Sequence, residues 1–306
     1  MDQITTLPTL PARPTDAHKG VFGSVAVLGG SIGVMPGSPR MLGAPALAAL
    51  GAIRAGCGLV RVGVPEPMLN TVLEMCPFAT GYALVVRADG DLIAHEVAPV
   101  LDHLVLGNNA LVIGPGLGAG DGVTKLVLRA IGQEEIPVVI DADAINALSG
   151  SVDFAGDLRA SCVLTPHPGE ARRLCVALGL TADPAGSENE RVDCCIQIAQ
   201  RLGSIVVLKG NRTVVSDGHG HWVCDRGHPA MSTGGTGDVL AGVIGSLIAQ
   251  FGPGGSLSPM QCAIAGVQAH AIAGERWAAS SDASGGMTAG DLCEKIPAAI
   301  ESLRGS

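Results

Sequence analysis

Short apolar runs rich in β-branched residues recur along the chain. Each is followed by a glycine or polar cluster and then by a longer segment of helical length. The first run is Ser-Val-Ala-Val-Leu at 24–28, ending in Gly29, Gly30 and Ser31, which predicts a strand feeding a glycine turn. Residues 32–42 hold two prolines and two glycines and are expected to form a loop. The alanine-rich stretch 44–55, stopped by Gly56, predicts a helix, and 58–64 predicts the next strand. The alternation continues with helix 67–75, strand 82–86, helix 92–104, strand 110–113 and helix 123–131. The run 137–141 is continuously apolar up to Asp141, as expected of a strand buried on both faces. Strand 162–165, a helix to Leu178, helix 191–202 and strand 204–208 follow, and 214–216 with 221–224 suggest a hairpin across Asp217 and Gly218. The last third is helical, at 239–250, 259–280 and 291–303. Such alternation predicts an α/β fold with a mostly parallel central sheet flanked by helices. One domain over residues 1–306 is expected, with 1–17 a loosely ordered Pro-rich start.

In open parallel sheets, ligands bind outside the carboxyl ends of the strands. The clusters at 29–31, 114–118, 141–143, 165–170 and 209–213 each follow a predicted strand, so they should line one rim. Beside them should lie Met-Ser-Thr-Gly-Gly-Thr-Gly-Asp at 231–238, which runs directly into an apolar helix. Glycines 234, 235 and 237 allow positive φ and expose backbone N–H groups at a helix start, an anion site. Asp238 suits the helix dipole but repels any phosphate held there. That conflict is expected where a carboxylate takes a proton beside a phosphate, although Asp238 as a plain cap fits the octapeptide equally well.

The other motifs are weighed in the same way. Three glycines within 114–118 exceed the needs of a turn and favour close backbone approach to a ligand. Asp141 and Asp143 invite a paired-carboxylate or metal reading, but without a third ligand at a fixed spacing a cap for the helix starting at Ala144 fits Asp143 at least as well, leaving Asp141 an uncertain supporting group. His167, in a proline-bracketed turn, is expected to hydrogen-bond substrate, and Glu170 is either a helix-start carboxylate or a Mg²⁺ contact through water. Lys209, Gly210, Asn211, Arg212 and Thr213 offer a cation and donors to a nucleotide. No G-x-G-x-x-G, Walker-type loop, nucleophile elbow or H-E-x-x-H is present. Together the motifs fit ATP-type phosphoryl transfer to a small hydroxylated molecule.

Composition narrows the partners. A net charge of −9 and 2% aromatic residues disfavour a nucleic-acid partner. Nine cysteines without a C-x-x-C pair suggest reduced core thiols in a cytoplasmic protein. No signal peptide or membrane span is expected.

The motifs His-Lys-Gly at 18–20, Leu-Gly-Gly-Ser at 28–31, Gly-Pro-Gly-Leu-Gly at 114–118, Asp-Ala-Asp-Ala-Ile-Asn at 141–146, Thr-Pro-His-Pro-Gly-Glu at 165–170 and Ser-Thr-Gly-Gly-Thr-Gly-Asp at 232–238, in this order, resemble the ADP- or ATP-dependent NAD(P)H-hydrate dehydratases. The resemblance implies a ribokinase-like fold, Mg²⁺, ADP or ATP as co-substrate, and repair of the S epimer of hydrated NADH or NADPH (NADHX, NADPHX). It implies that Ala44, Gly116, His167 and Asp238 contact the hydrate, that residues 209–213 and Gly237 hold the adenine nucleotide, and that Asp238 acts as base beside the amides of Gly235–Gly237. It further implies a homotetramer and a separate epimerase for the R form. In the family the loop between Ser31 and Gly43 is usually shorter and carries a tyrosine, which this sequence lacks. A small-alcohol kinase and a non-catalytic nucleotide sensor are the alternatives.

Overall fold

The computed structural model describes residues 2–33 and 39–305, so residues 34–38 of the expected 32–42 loop lie outside the described residues. Its strands are β1 (Asp2–Gln3), β2 (Ser24–Leu28), β3 (Leu59–Pro65), β4 (Thr80–Leu84), β5 (Ala110–Ile113), β6 (Val138–Ile140), β7 (Cys162–Leu164), β8 (Ile205–Leu208), β9 (Val214–Ser216) and β10 (Gly220–Val223). Its α-helices are α1 (Gly43–Arg54), α2 (Leu69–Met75), α3 (Ala94–Leu106), α4 (Asp121–Ile131), α5 (Asp143–Ser149), α6 (Pro168–Leu178), α7 (Glu188–Leu202), α8 (Thr236–Phe251), α9 (Pro259–Ser281) and α10 (Ala289–Glu301).

The strands form one sheet in the order β1-β10-β9-β8-β7-β6-β5-β2-β3-β4. From β8 across to β4 every neighbouring pair is parallel, and only the β8-β9-β10 turns are antiparallel. The interior strands are buried on both faces, with alternate residues serving two cores. Val25, Val27, Val112 and Val139 face the layer of α1, α8, α9 and α10, while Ala26, Leu28, Leu111 and Ile140 face α3 to α7. This two-sided burial explains why the strands read as continuous apolar runs.

Helix α8 is buried from Val239 through Ile248 and packs tightly on α1. A Cβ at Gly242 would lie 1.9 Å from the Ala48 carbonyl oxygen, and one at Gly51 2.4 Å from that of Val239. Glycine is what permits this backbone approach. The packing fixes the first turn of α8 at the sheet's carboxyl rim.

The start of the chain differs from expectation. Asp2 and Gln3 pair with Gly220 and His221, and Leu10 is fully buried with its N–H donating to the Leu303 carbonyl at 2.8 Å. Its partners lie far away in sequence, so composition alone does not reveal them. The strand expected at 82–86 is shifted to 80–84 by its register with β3, and Val86 forms an isolated bridge to Leu92. All nine cysteines are free and buried. Among the described residues, no helix is long and apolar enough to cross a membrane.

Candidate active site

The strand order reverses beside β2. The chain runs from β2 outward to β3 and β4, then returns to β5 on the other side. The crevice at this point is the expected ligand position. Its two walls touch: the Gly30 N–H donates to the Pro115 carbonyl at 2.9 Å, and a Cβ at Gly29 would lie 2.3 Å from the same oxygen. Gly116 has a φ of 61°, and a Cβ there would sit 3.1 Å from that of Ala44, in the first turn of α1. Ala44 and Gly116 are therefore brought together at this crevice.

The 231–238 loop closes the other side. Gly235 caps α8 with a φ of 90°, a conformation that favours glycine, and a Cβ there would also press on Leu47 Cδ1 at 2.5 Å. The Thr236 hydroxyl donates to the carbonyls of Met231 and Thr233 at 3.2 and 3.0 Å, which fixes the turn. Asp238 follows in the first helical turn. Removal from water, reinforced by Asp141 and opposed by Lys209, raises its pKa to about 7, with smaller upward contributions from Asp143 and Glu170. A carboxyl poised near neutrality matches the requirement for a general base.

Asp141, just past β6, is fully buried. Its Oδ1 accepts from the Thr165 hydroxyl at 2.7 Å and from Lys209 Nζ at 2.6 Å. Lys209 Nζ also lies 3.9 Å from Glu170 Oε2 and 3.5 Å from where a Gly237 Cβ would be. Burial alone would depress the Lys209 pKa, but Asp141, Glu170 and Asp238 outweigh it and raise the value. One ammonium thus stands among three carboxylates at the mouth of α8.

His167 and Glu170 form a capping box at the start of α6. His167 Nδ1 accepts the Gly169 N–H at 2.9 Å, while Glu170 Oε2 accepts the His167 N–H at 2.8 Å. Burial, then Lys209 and Arg173, lower the His167 pKa, which keeps the ring neutral and able to accept. Burial raises that of Glu170, against Lys209. His167 stays half-exposed toward the cleft, whereas the carboxylate of Glu170 is turned inward. Among the described residues, no three His, Cys, Asp or Glu side chains converge to hold a metal. Asp141, Glu170 and Asp238 cluster around Lys209, and a Mg²⁺ ion there would be held by few protein ligands, with phosphates and water completing its shell. Asp143 departs from the cap reading: Ala142 is the α5 cap residue, and Asp143 Oδ2 accepts the Gly118 N–H at 2.9 Å, tying the 114–118 loop to α5.

A family model described as NAD(P)H-hydrate dehydratase matches residues 32–298. The ADP-dependent (S)-NAD(P)H-hydrate dehydratase of Neisseria meningitidis is 36% identical over 287 residues, covering 92% of this chain and 86% of that protein. The chain belongs to the NAD(P)H-hydrate dehydratase family. The bifunctional NAD(P)H-hydrate repair enzyme Nnr of Coxiella burnetii is 37% identical over 288 residues, 93% of this chain but 52% of that protein. The chain spans about half the length of that relative and of several like it. The solved ADP/ATP-dependent NAD(P)H-hydrate dehydratase of Bacillus subtilis, co-crystallized with ATP and Mg²⁺, superposes with a TM-score of 0.75 at 27% identity, covering 97% of this chain and 95% of that one. The fold is ribokinase-like.

In this family member, Lys209, Gly210, Asn211, Arg212, Thr213, Gly237 and His167 line one cleft of about 780 Å³. Sequence reading missed what holds its 209–213 wall. Arg191, one turn into α7, donates to the carbonyls of Leu208, Lys209, Asn211 and Arg212, the first two at 3.4 and 3.3 Å. Arg212 itself has a φ of 55° and pairs with Glu188. Replacing Arg191 by glutamine is expected to raise the nucleotide KM about tenfold with little change in kcat, the scale of lost charge-assisted hydrogen bonds. Steady-state kinetics with varied nucleotide checks this. His270, buried on α9, was also missed; its Nε2 lies 2.9 Å from the Thr236 carbonyl. Burial lowers its pKa to about 4, so the neutral ring donates that bond and anchors the α8 turn. Neither residue belongs to a readable motif, because each acts on a segment distant in sequence.

Proposed function

We propose that this chain catalyses the ADP- or ATP-dependent dehydration of the S epimer of hydrated NADH or NADPH, releasing AMP or ADP and orthophosphate. The observation that carries the reading is Asp238, a carboxyl in the first turn of α8 whose burial raises its pKa to about 7, within electrostatic reach of the buried Lys209. Family membership and the printed activities of the relatives support it.

The hydrate enters the crevice over Ala44 and Gly116, and the nucleotide lies along 209–213 with its terminal phosphate at the N-terminus of α8. Asp238 takes the proton of the ring hydroxyl, whose oxygen attacks the terminal phosphorus while the bond to the nucleotide's bridging oxygen breaks. Amides of Gly235 to Gly237 and the Lys209 ammonium meet the charge on the transferring group. Glu170 is the residue that would hold a Mg²⁺ ion, through water, and the ion would supply positive charge against the phosphates. Hydroxide is a poor leaving group and phosphate a good one. The phosphorylated ring therefore loses phosphate with its bonding pair, and loss of a ring proton restores the dihydronicotinamide.

The R epimer would need an epimerase activity to enter this reaction. A reducing, cytoplasmic setting is consistent with nine free buried cysteines, and a homotetramer belongs to the same reading. The test is absorbance in the reduced-nicotinamide band after adding protein, Mg²⁺ and ADP or ATP to hydrated NADH. A nucleotide-dependent rise with one orthophosphate per NADH is expected. A stable phosphate ester without the rise would instead establish a kinase.

A further inference from the structure

A second cleft of about 550 Å³ lies between the C-terminal ends of α1 and α10, away from the catalytic rim. Arg13, Arg54 and Arg304 line it against a single carboxylate, Glu301. In a chain of net charge −9 this is a concentrated positive patch. Its walls also include Leu50, Phe78 and Ile300, and Phe78 is 39% exposed.

Two of the three guanidinium groups are held in place. Arg13 Nη1 donates to the Gly56 carbonyl at 2.9 Å, and its Cζ lies 3.4 Å from the centre of the Phe22 ring. Gly56 has a φ of 104°, and a Cβ there would lie 2.5 Å from Arg13 Nη1, so glycine makes room for the guanidinium. The Arg304 side chain is 6% exposed, lies 3.1 Å from Glu301 and donates to the Pro11 carbonyl. Partial desolvation and the nearby Arg304 both depress the Arg13 pKa and outweigh the opposing Glu301, so the two cations converge on one carboxylate. Arg54 is exposed, and among the described residues no hydrogen bond or ion pair engages it.

We propose that this cleft binds an anion carried on an apolar body. A phosphate or carboxylate head would be taken by Arg54, with Arg13 and Arg304 behind it, and the body would lie on Leu50, Phe78 and Ile300. Guanidinium forks match both oxyanions, and the apolar floor selects against the bare ion. The 12 residues of α1 span about 18 Å, which separates this site from the Ala44 end where substrate binds.

The experiment titrates 1-naphthyl phosphate, octanoate and inorganic phosphate into the full chain by calorimetry, with and without saturating ADP. Saturable binding of naphthyl phosphate or octanoate is expected, unaffected by ADP and at least about tenfold weaker for inorganic phosphate. The tighter of the two organic probes identifies the head group. Arg54→Gln should weaken it about tenfold, as loss of a charge-assisted contact does, while activity on hydrated NADH is unchanged. The idea is overturned if neither organic probe saturates below about 10 mM, if ADP displaces the probe, or if Arg54→Gln binds it as tightly as the parent. Dissociation of an oligomer by Arg54→Gln, read by light scattering, would also overturn it, by showing that a second copy of the chain covers the cleft.

Discussion

Asp238→Asn is expected to lower kcat by about 10²- to 10⁴-fold, the usual contribution of a positioned general base, while nucleotide affinity is retained. The same substitution should stabilise the fold at alkaline pH. Asp238 has its pKa raised from an ordinary carboxyl value to about 7, so the folded state binds the proton more tightly than the unfolded chain. Stability therefore falls as pH rises from about 4 to about 7 and stays reduced above that. Asparagine removes this penalty, giving a higher Tm than the parent at pH 8 and little difference at pH 4. In the parent, kcat/KM should fall with an apparent pKa near 7 as the base is protonated. Rapid-quench turnover and thermal melts across pH test both halves. An asparagine variant that turns over at the parent rate would remove Asp238 from the chemistry.

Asp141→Asn is the second large effect. It leaves Lys209, with a side chain 17% exposed, without its 2.6 Å partner. Breaking a buried pair from one side costs about 3–5 kcal/mol, to be read by chemical denaturation. The double variant Asp141→Asn with Lys209→Met should lose less than the sum of the single losses, because no orphaned charge remains. Asp141 is also the main charge raising the Asp238 pKa, so its neutralisation should move the acid limb of kcat/KM to lower pH. Simple additivity together with an unmoved limb would show that the pair is not coupled to the base.

The site was legible wherever function is written into contiguous backbone. Gly114 to Gly118, the 165–170 turn and the 231–238 loop follow strands or open a helix; positive φ is realised at Gly114, Gly116, Gly118 and Gly235, whereas Gly234 and Gly237, expected to allow it, do not take it. His167 was recognised as a rim residue, but its Nδ1 serves the α6 cap. Asp143 was assigned to a cap, yet it holds Gly118. Each has a short polar side chain at a helix start, and sequence cannot say whether such a group turns toward its own helix or toward a neighbouring loop.

By itself the sequence determined the strand-helix alternation, the rim that collects the glycine loops, the family and Asp238 as candidate base. These are encoded by periodicity and local conformational preference, which act over a few residues. Only the tertiary structure decided that Lys209 meets Asp141 from 68 residues away, that Arg191 and His270 brace the 209–213 and 231–238 loops, and that Leu10 docks on Leu303. Those pairings depend on register and packing between distant segments. The pKa of Asp238 depends on them as well, since burial and the charges of Asp141 and Lys209 set it together.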